Sequence, residues 1–521
     1  VNAHVPAFSR RRFLRALGGG ALLATWPAPL LAEADELVTI SLLHTTDLHG
    51  HILPTTDYAG NANLGGLARC ATQIRAWRRA NPHHLLVDIG DVFQGTELGL
   101  QTRGAAMIRC FNGLGYDAWV IGNHEFDFGP DALASTIALS QMPVLSGNAR
   151  IDGASPLARI RPWMIKEVAG IRLALVSLTT PGLPAWIPPE NLRGFSVLQP
   201  AETLRGLLRE VTAQKPDAII LTGHMGLTRL DDFANPVGAL TREFPQLTVF
   251  LGGHTHQDHS GETVNGVLYT QADHFGIHVG KVDLIFDRAT RRLVRREAVT
   301  VPMDRTVALD PAVLSWVRHD LDVSDHLLAQ PIGELKETFH VASVFGRPSD
   351  IERLIGSAMK AALRKRGVEI DAVVHGLFDP DHDLAAGPKI AADCWTVLPY
   401  ENAIVTLDLS RADFLALARD FDAGKDFRNV MGVRLVGAPD GKRFNVTDLR
   451  AADGSPLPEK PFYRVALNAY DAQSGGERFL TVAKLAQDPA NLRKLYPIFT
   501  RDALIDFFVD REKIGKTDLL V

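Results

Sequence analysis

Seven apolar runs in the first half of the chain end alike, in a polar and often glycine-bearing tail. This repetition constrains the fold more than any other feature. The runs are LVTISLLHTTD, HHLLVDIGD, DAWVIGNHE, MPVLSGN, IRLALVSLTT, DAIILTGH and LTVFLGGHTH, spread from Leu37 to His256. Near-continuous apolar runs mark strands covered on both faces. Helical periodicity fills several gaps, as in GGLARCATQIRAWRRA and AETLRGLLREVTAQ. Strands alternating with helices predict an α/β fold, and GVLYTQA and KVDLIF close this unit. A polar, helix-like connector follows in DPAVLSWVRHDLDVSDHLLA, and a second α/β set, including DAVVHGLF, NAIVTLDLS, YRVALNAY and TRDALIDFFVDREK, runs from Pro331 to Val521. A chain of 521 residues exceeds what one core organises. The expected divisions are 1–34, 35–305, 306–330 as a helical linker, and 331–521.

Residues 1–34 resemble an export leader. Ser9-Arg10-Arg11-Arg12-Phe13-Leu14 is similar to a twin-arginine signal, an apolar small-residue run extends from Ala16 to about Ala24, and Ala32 and Ala34 precede Asp35 as a cleavage site. The twin-arginine translocase is then a partner during export, the protein being exported folded, and the expected location is periplasmic or secreted. No later run is long enough to span a bilayer, so no stable membrane anchor is expected. Only three cysteines occur, Cys70, Cys110 and Cys394, widely spaced. They argue against a disulfide framework or thiolate metal site and for buried structural thiols. With 55 basic and 60 acidic residues the formal net charge is −5. This argues against a general nucleic-acid binder.

The strand tails concentrate one kind of chemistry. Asp47-x-His49 follows the first run, Gly90-Asp91 the second, Gly122-Asn123-His124 the third, Gly223-His224 a later one, and Gly252-Gly253-His254-Thr255-His256 the last. Open α/β sheets bind ligands beyond the carboxyl ends of their strands, so the five segments are candidates for one pocket. Carboxylate oxygen and neutral imidazole nitrogen suit Mn, Zn or Fe(II). Alternate side chains of Asp-x-His and His-x-His lie on one face of an extended segment. Asp47 and Asp91 bring two negative charges against the four positive charges of two divalent ions. The surplus would hold an anionic substrate, and paired metals clamp the attacking and leaving oxygens of a displacement.

The set DxH, GD, GNHE, GH and GHTH resembles the calcineurin-like metallophosphoesterase superfamily. Within it, TTDLHGH, GDVFQGTELG, GNHEFDFG and the C-terminal unit resemble the bacterial 5′-nucleotidase family. The resemblance implies a metallophosphoesterase sandwich of two β-sheets flanked by helices. A helical linker would join it to an α/β C-terminal substrate domain. It further implies a dimetal site: Asp47, His49, Asp91 and His256 on one ion, and Asp91, Asn123, His224 and His254 on the other. His124 would be the catalytic histidine, with Asp127 on its second ring nitrogen, while Glu125 would hold the turn. The implied reaction is hydrolysis of phosphate esters, 5′-nucleotides among them, by metal-activated water attack with His124 assisting. His51, His259, His274 and His278 match no ligand position and are expected to be solvated or satisfied loop residues.

The second unit carries the resemblance with changes. VLPYENAIV supplies Tyr400 and Asn402, and NAYDAQSGGERF supplies Tyr470 and Glu477, the latter where the family has aspartate. Tyrosine keeps a stacking face for a base. Between Asp371 and Gly387 the family's N-G-G-G-I-R becomes Gly376-Leu377-Phe378-Asp379-Pro380-Asp381, so Asp381 stands where an arginine should grip phosphate. An anion there repels what the arginine would clamp. Two other readings remain open. One is a thiosulfohydrolase of sulfur oxidation, whose family has Trp-Glu at His124-Glu125. The other is a non-catalytic, metal-dependent ligand-binding protein, against which the His124–Asp127 pair argues.

Overall fold

A computed structural model describes residues 36–152, 156–378, 382–400, 402–422, 427–440, 443–473 and 478–520. The expected leader, Asp381 and Glu477 lie outside the described residues.

The apolar runs build two six-stranded sheets. In spatial order the first contains Leu293–Pro302, His278–Asp287, Leu37–Thr45, His84–Asp88, Ala118–Val120 and Val144–Leu145. The second contains Asp258–Val264, Val267–Ala272, Val249–Leu251, Ala218–Gly223, Ile171–Leu178 and Trp163–Val168. Side chains alternate between faces. Val38, Ile40 and Leu42 meet Ile171, Leu173 and Leu175 in a core between the sheets. Leu43 and Trp119 face outward onto Ile74, Ile108 and Phe111 of the helices Leu67–Ala80 and Ala105–Leu114. Ala174, Val176 and Leu178 face the other way, onto Leu204, Leu208 and Val211 of the helix Pro200–Ala213. Both faces of each sheet are therefore covered, which is why the runs are apolar throughout. Full burial of each such side chain contributes about 1.5–3 kcal/mol.

Four strands of the first sheet are parallel: Leu43 lies opposite Leu86, Val87 opposite Ala118, and Trp119 opposite Val144. In the second, Val249 pairs with Ile220 and Leu175 with Ile220 in the same sense. Their carboxyl ends therefore gather at one rim. The helices Pro311–Trp316, capped by Asp310 on the Ala312 and Val313 amides, and Arg318–Leu328 follow. Val313 and Val317 pack into the first unit's outer core.

Beyond them lies a five-stranded sheet of Asn429–Met431, Ala372–His375, Tyr463–Asn468, Ala403–Leu409 and Lys494–Phe499. The helices Asp350–Lys365 and Thr500–Arg511 cover one face; Arg411–Asp420 and Leu480–Gln487 cover the other. A cleft of about 2210 Å³ separates the two units. It is lined by His49, His124 and His254 from the first and Tyr400, Asn402 and Tyr470 from the second.

Candidate metal centre

Five strand-end segments converge at the rim. The ligand atoms of Asp47, His49 and His256 form one group and those of Asp91, His224 and His254 a second, each within 4.8 Å of one another. Asp91 faces both: its Oδ2 is 3.0 Å from His224 Nε2 and 3.9 Å from His49 Nε2. Asp47 Oδ1 lies 3.5 Å from His256 Nε2 and 3.9 Å from His224 Nε2. Asp47, His49, Asp91, His254 and His256 all have left-handed backbones, with φ of 50°, 47°, 57°, 76° and 54°. Such conformations cost roughly 1–3 kcal/mol each and persist where the surrounding structure fixes them. Glycines make room for the approach. A Cβ on Gly122 would lie 2.3 Å from Asp91 Oδ1, and one on Gly253 would lie 2.4 Å from Thr46 Oγ1.

The hydrogen bonds fit this centre to cations. His224 Nδ1 donates to the Ile89 carbonyl at 2.8 Å, which leaves the Nε2 of the neutral ring as a lone pair directed at the Asp91 carboxylate. His49 Nδ1 donates to Gln94, to the carbonyl at 3.0 Å and to Oε1 at 2.9 Å. Its Nε2 then faces His256 Nε2 at only 3.0 Å. Two ring nitrogens at that distance need a positive charge between them, a proton on His256 Nε2 in the metal-free protein or a cation in its place. Asn123 Oδ1 is buried and has no hydrogen-bond partner among the described residues, as a carbonyl oxygen reserved for a cation would be. Oxygen and imidazole donors without thiolate suit a divalent ion.

Titration behaviour matches. Burial, reinforced by His256, holds the His49 imidazole well below its ordinary range. Burial and His224 bring His254 down to about 3. Both rings are therefore neutral and available as ligands. Burial alone would raise the Asp47 carboxyl, but the hydrogen bond from His256 and the charge of His224 outweigh it and bring it to about 2. His224 goes the other way: Asp91 overcomes burial and lifts it to about 9, so a proton takes the place a cation would otherwise fill.

Beside the clusters, His124 Nδ1 donates to Asp127 Oδ2 at 2.7 Å. Its backbone N–H donates to Asp91 Oδ1 at 2.8 Å, and Asn191 Nδ2 holds the Asp127 carbonyl at 2.7 Å. Burial opposes protonation of His124, yet Asp127 and Asp91 raise it to about 10. Glu125 is buried and accepts the amides of Asp91, Val92 and Gly122 at 3.1, 2.7 and 2.6 Å. It thus clips the second and third tails together.

In the second unit, Tyr400, Asn402 and Tyr470 all line the cleft. Tyr400 meets Phe378 edge-on at 5.1 Å, and the guanidinium of Arg478 lies 5.5 Å from the Tyr470 ring centre. Of the four unassigned histidines, His259 pairs with Glu262 and His278 with Asp273. His51 and His274 are satisfied as well: His51 Nδ1 donates to the Leu48 carbonyl at 3.1 Å and its ring stacks on Phe275 at 4.0 Å, while buried His274 donates to Asp273 and stacks on His256 at 5.0 Å. Sequence reasoning passed over Gln94 and Tyr58, whose contacts with His49 and His256 span 45 and 198 positions. Gln94 lies within the GDVFQGTELG stretch without being singled out there, and no local motif marks Tyr58. Cys70, Cys110 and Cys394 are buried, free thiols.

Residues 40–258 match the family described as Calcineurin-like phosphoesterase, and the α/β sandwich is that fold. The chain is 22% identical over 491 residues to endonuclease YhcR of Bacillus subtilis, covering 87% of this chain but only 39% of that protein. It thus spans about two fifths of that relative's length. It is 26% identical over 517 residues to protein UshA of Salmonella pullorum, covering 90% of this chain and 91% of the relative. Among solved structures, a 5′-nucleotidase precursor from Thermus thermophilus superposes with a TM-score of 0.65 at 25% identity, over 92% of this chain and 97% of the other. The sulfate thiohydrolase SoxB of Thermus thermophilus shares the fold, with a TM-score of 0.62 at 18% identity over 94% and 96% of the two chains.

Proposed function

We propose that this calcineurin-like phosphoesterase fold, with its 5′-nucleotidase relatives, serves an exported dimetal hydrolase of phosphate esters. On this reading residues 35–305 are catalytic, 306–330 link, and 331–521 contact the substrate. The observation that carries it is the pair of ligand clusters meeting at Asp91, with the Nε2 atoms of His49 and His256 facing each other at 3.0 Å. One ion is assigned to Asp47, His49, Asp91 and His256, and the other to Asp91, Asn123, His224 and His254. Bound there, two divalent ions (Mn, Zn or Fe) would supply Lewis-acid charge and an activated water.

The chain's own residues do the rest. In the metal-free protein Asp127 and Asp91 overcome burial and raise His124 to about 10, and the Asp127 contact at 2.7 Å remains to favour its protonated form when Asp91 is committed to cations. Its Nδ1 is committed to Asp127, so Nε2 is the atom that holds a proton for the departing alkoxide or a hydrogen bond for the phosphoryl oxygens. Tyr400 and Tyr470 offer faces to a planar leaving group and Asn402 a polar contact, with Glu477 assigned from sequence alone. With Asp381 in the arginine's place, a nucleotide would be held mainly through its base. A twin-arginine leader would deliver the folded protein to the periplasm or beyond; no described helix is long and apolar enough to cross a membrane.

Phosphate release from a panel of nucleotide and non-nucleotide esters, with metal analysis of the same sample, tests the reading. Hydrolysis of at least one ester by protein carrying two ions is expected. Inertness of the two-ion protein toward every ester would favour thiosulfohydrolase chemistry, which the fold shared with SoxB permits, or ligand capture without turnover.

A further inference from the structure

Tyr58 lies in the long loop between the strand Leu37–Thr45 and the helix Leu67–Ala80. It is 53% exposed, yet it touches His256, His274, Phe275 and Tyr400. Its hydroxyl oxygen is 2.5 Å from His256 Nδ1. Its ring stacks on His274 at 4.1 Å and 12°, and that ring in turn stacks on His256 at 8°. Its edge meets Tyr400 of the second unit at 5.8 Å and 69°. His274 is itself pinned, its Nδ1 donating to Asp273 Oδ1 at 2.5 Å.

These contacts have a direction. His256 Nε2 faces Asp47 and His49, so in the ligand tautomer the proton sits on Nδ1 and is donated to the Tyr58 oxygen. An outer partner of this kind fixes both the tautomer and the plane of a metal-bound imidazole. His49 and His224 take theirs from Gln94 and the Ile89 carbonyl, buried groups of the first unit. His256 instead takes its partner from a loop residue that also touches the second unit. We propose that Tyr58 is a positioning residue which orients His256 toward its ion and joins that ion's site to the Tyr400 wall of the cleft. This rests on the dimetal reading above.

The test needs no substrate. Divalent-ion affinities of the full chain are measured by competition with a chromophoric chelator, and the visible spectrum of the cobalt-loaded protein is recorded. Tyr58→Phe keeps the ring contacts and removes the hydroxyl, with its hydrogen bonds to His256 and to Tyr400. Loss of about 10- to 100-fold in affinity for one of the two ions is expected, with a shifted cobalt spectrum and the second ion held as before. Unchanged affinities would overturn the proposal. A double-mutant cycle guards against a general effect on folding: in a His256→Ala background the same substitution should change nothing further. An equal loss there would equally overturn it. Tyr58→Ala, which also removes the Tyr400 ring contact, should raise KM for a nucleoside monophosphate beyond any change in Tyr58→Phe; an equal KM in the two variants would refute the link to the second unit. A protein that binds both ions but hydrolyses no ester would defeat the hydrolase reading and leave this one standing.

Discussion

Gly122 shows how little tolerance the rim allows at single positions. A methyl group there would press on the Asp91 carboxylate, which the assignment makes common to both ions. Gly122→Ala is expected to weaken both ions together, read as a loss of metal stoichiometry at fixed free-ion concentration; full occupancy would show that Asp91 need not sit where it does. Glu125 carries a different burden. Its carboxylate serves three buried amides, and Glu125→Ala would leave them without an acceptor, at a cost of about 2–4 kcal/mol. Urea unfolding of the metal-free protein measures this, and a change below about 0.5 kcal/mol would mean that other groups satisfy those amides. His124→Ala separates binding from chemistry. Both ions should remain while turnover falls by about 10²- to 10⁴-fold, and undiminished turnover would remove His124 from the reaction.

At the scale of elements, the parallel strands explain both what the sequence makes legible and what it hides. Strands covered on two faces announce themselves as apolar runs, and their tails carry Asp47, Asp91, Asn123, His224, His254 and His256 in plain order. The edge strand Leu293–Pro302 is harder to read because Arg295, Arg296 and Glu297 interrupt its apolar positions. Partners such as Gln94 and Tyr58 stay hidden, since only the tertiary fold brings them to their histidines. His44 is a further element-level feature. It sits within the strand Leu37–Thr45, fully buried, with neither ring nitrogen hydrogen-bonded among the described residues. Burial lowers it from 6.5 to about 4. Between those values the unfolded chain binds a proton that the folded one refuses, so stability contributed at neutral pH is lost as pH falls from 6.5 through 4. The loss at pH 5 is about 2 kcal/mol. Thermal unfolding of the metal-free protein at pH 7.5 and pH 5 should show a smaller difference for His44→Leu than for the parent. Equal differences would mean that His44 does not titrate in this way.

For the whole molecule, the proposed division of labour is between a rim that would hold ions and a facing wall that would hold the rest of the substrate. Tyr400 and Tyr470 reach the cleft from one unit and His124 from the other. Replacing both tyrosines by alanine should therefore raise KM for nucleoside monophosphates by about tenfold or more, a loss of roughly 1–2 kcal/mol in stacking, while metal content stays fixed. Steady-state kinetics on a nucleotide and on a small non-aromatic ester separate the two effects, and an equal change for both esters would deny the wall a role in choosing substrate. All of this depends on paired cations at the rim. Anomalous diffraction from crystals of the protein loaded with manganese or zinc tests that most directly. Two peaks about 3.5–4 Å apart are expected, one against Asp47, His49 and His256, the other against Asn123, His224 and His254, with Asp91 touching both. A single peak, or none within reach of Asp91, would contradict the account.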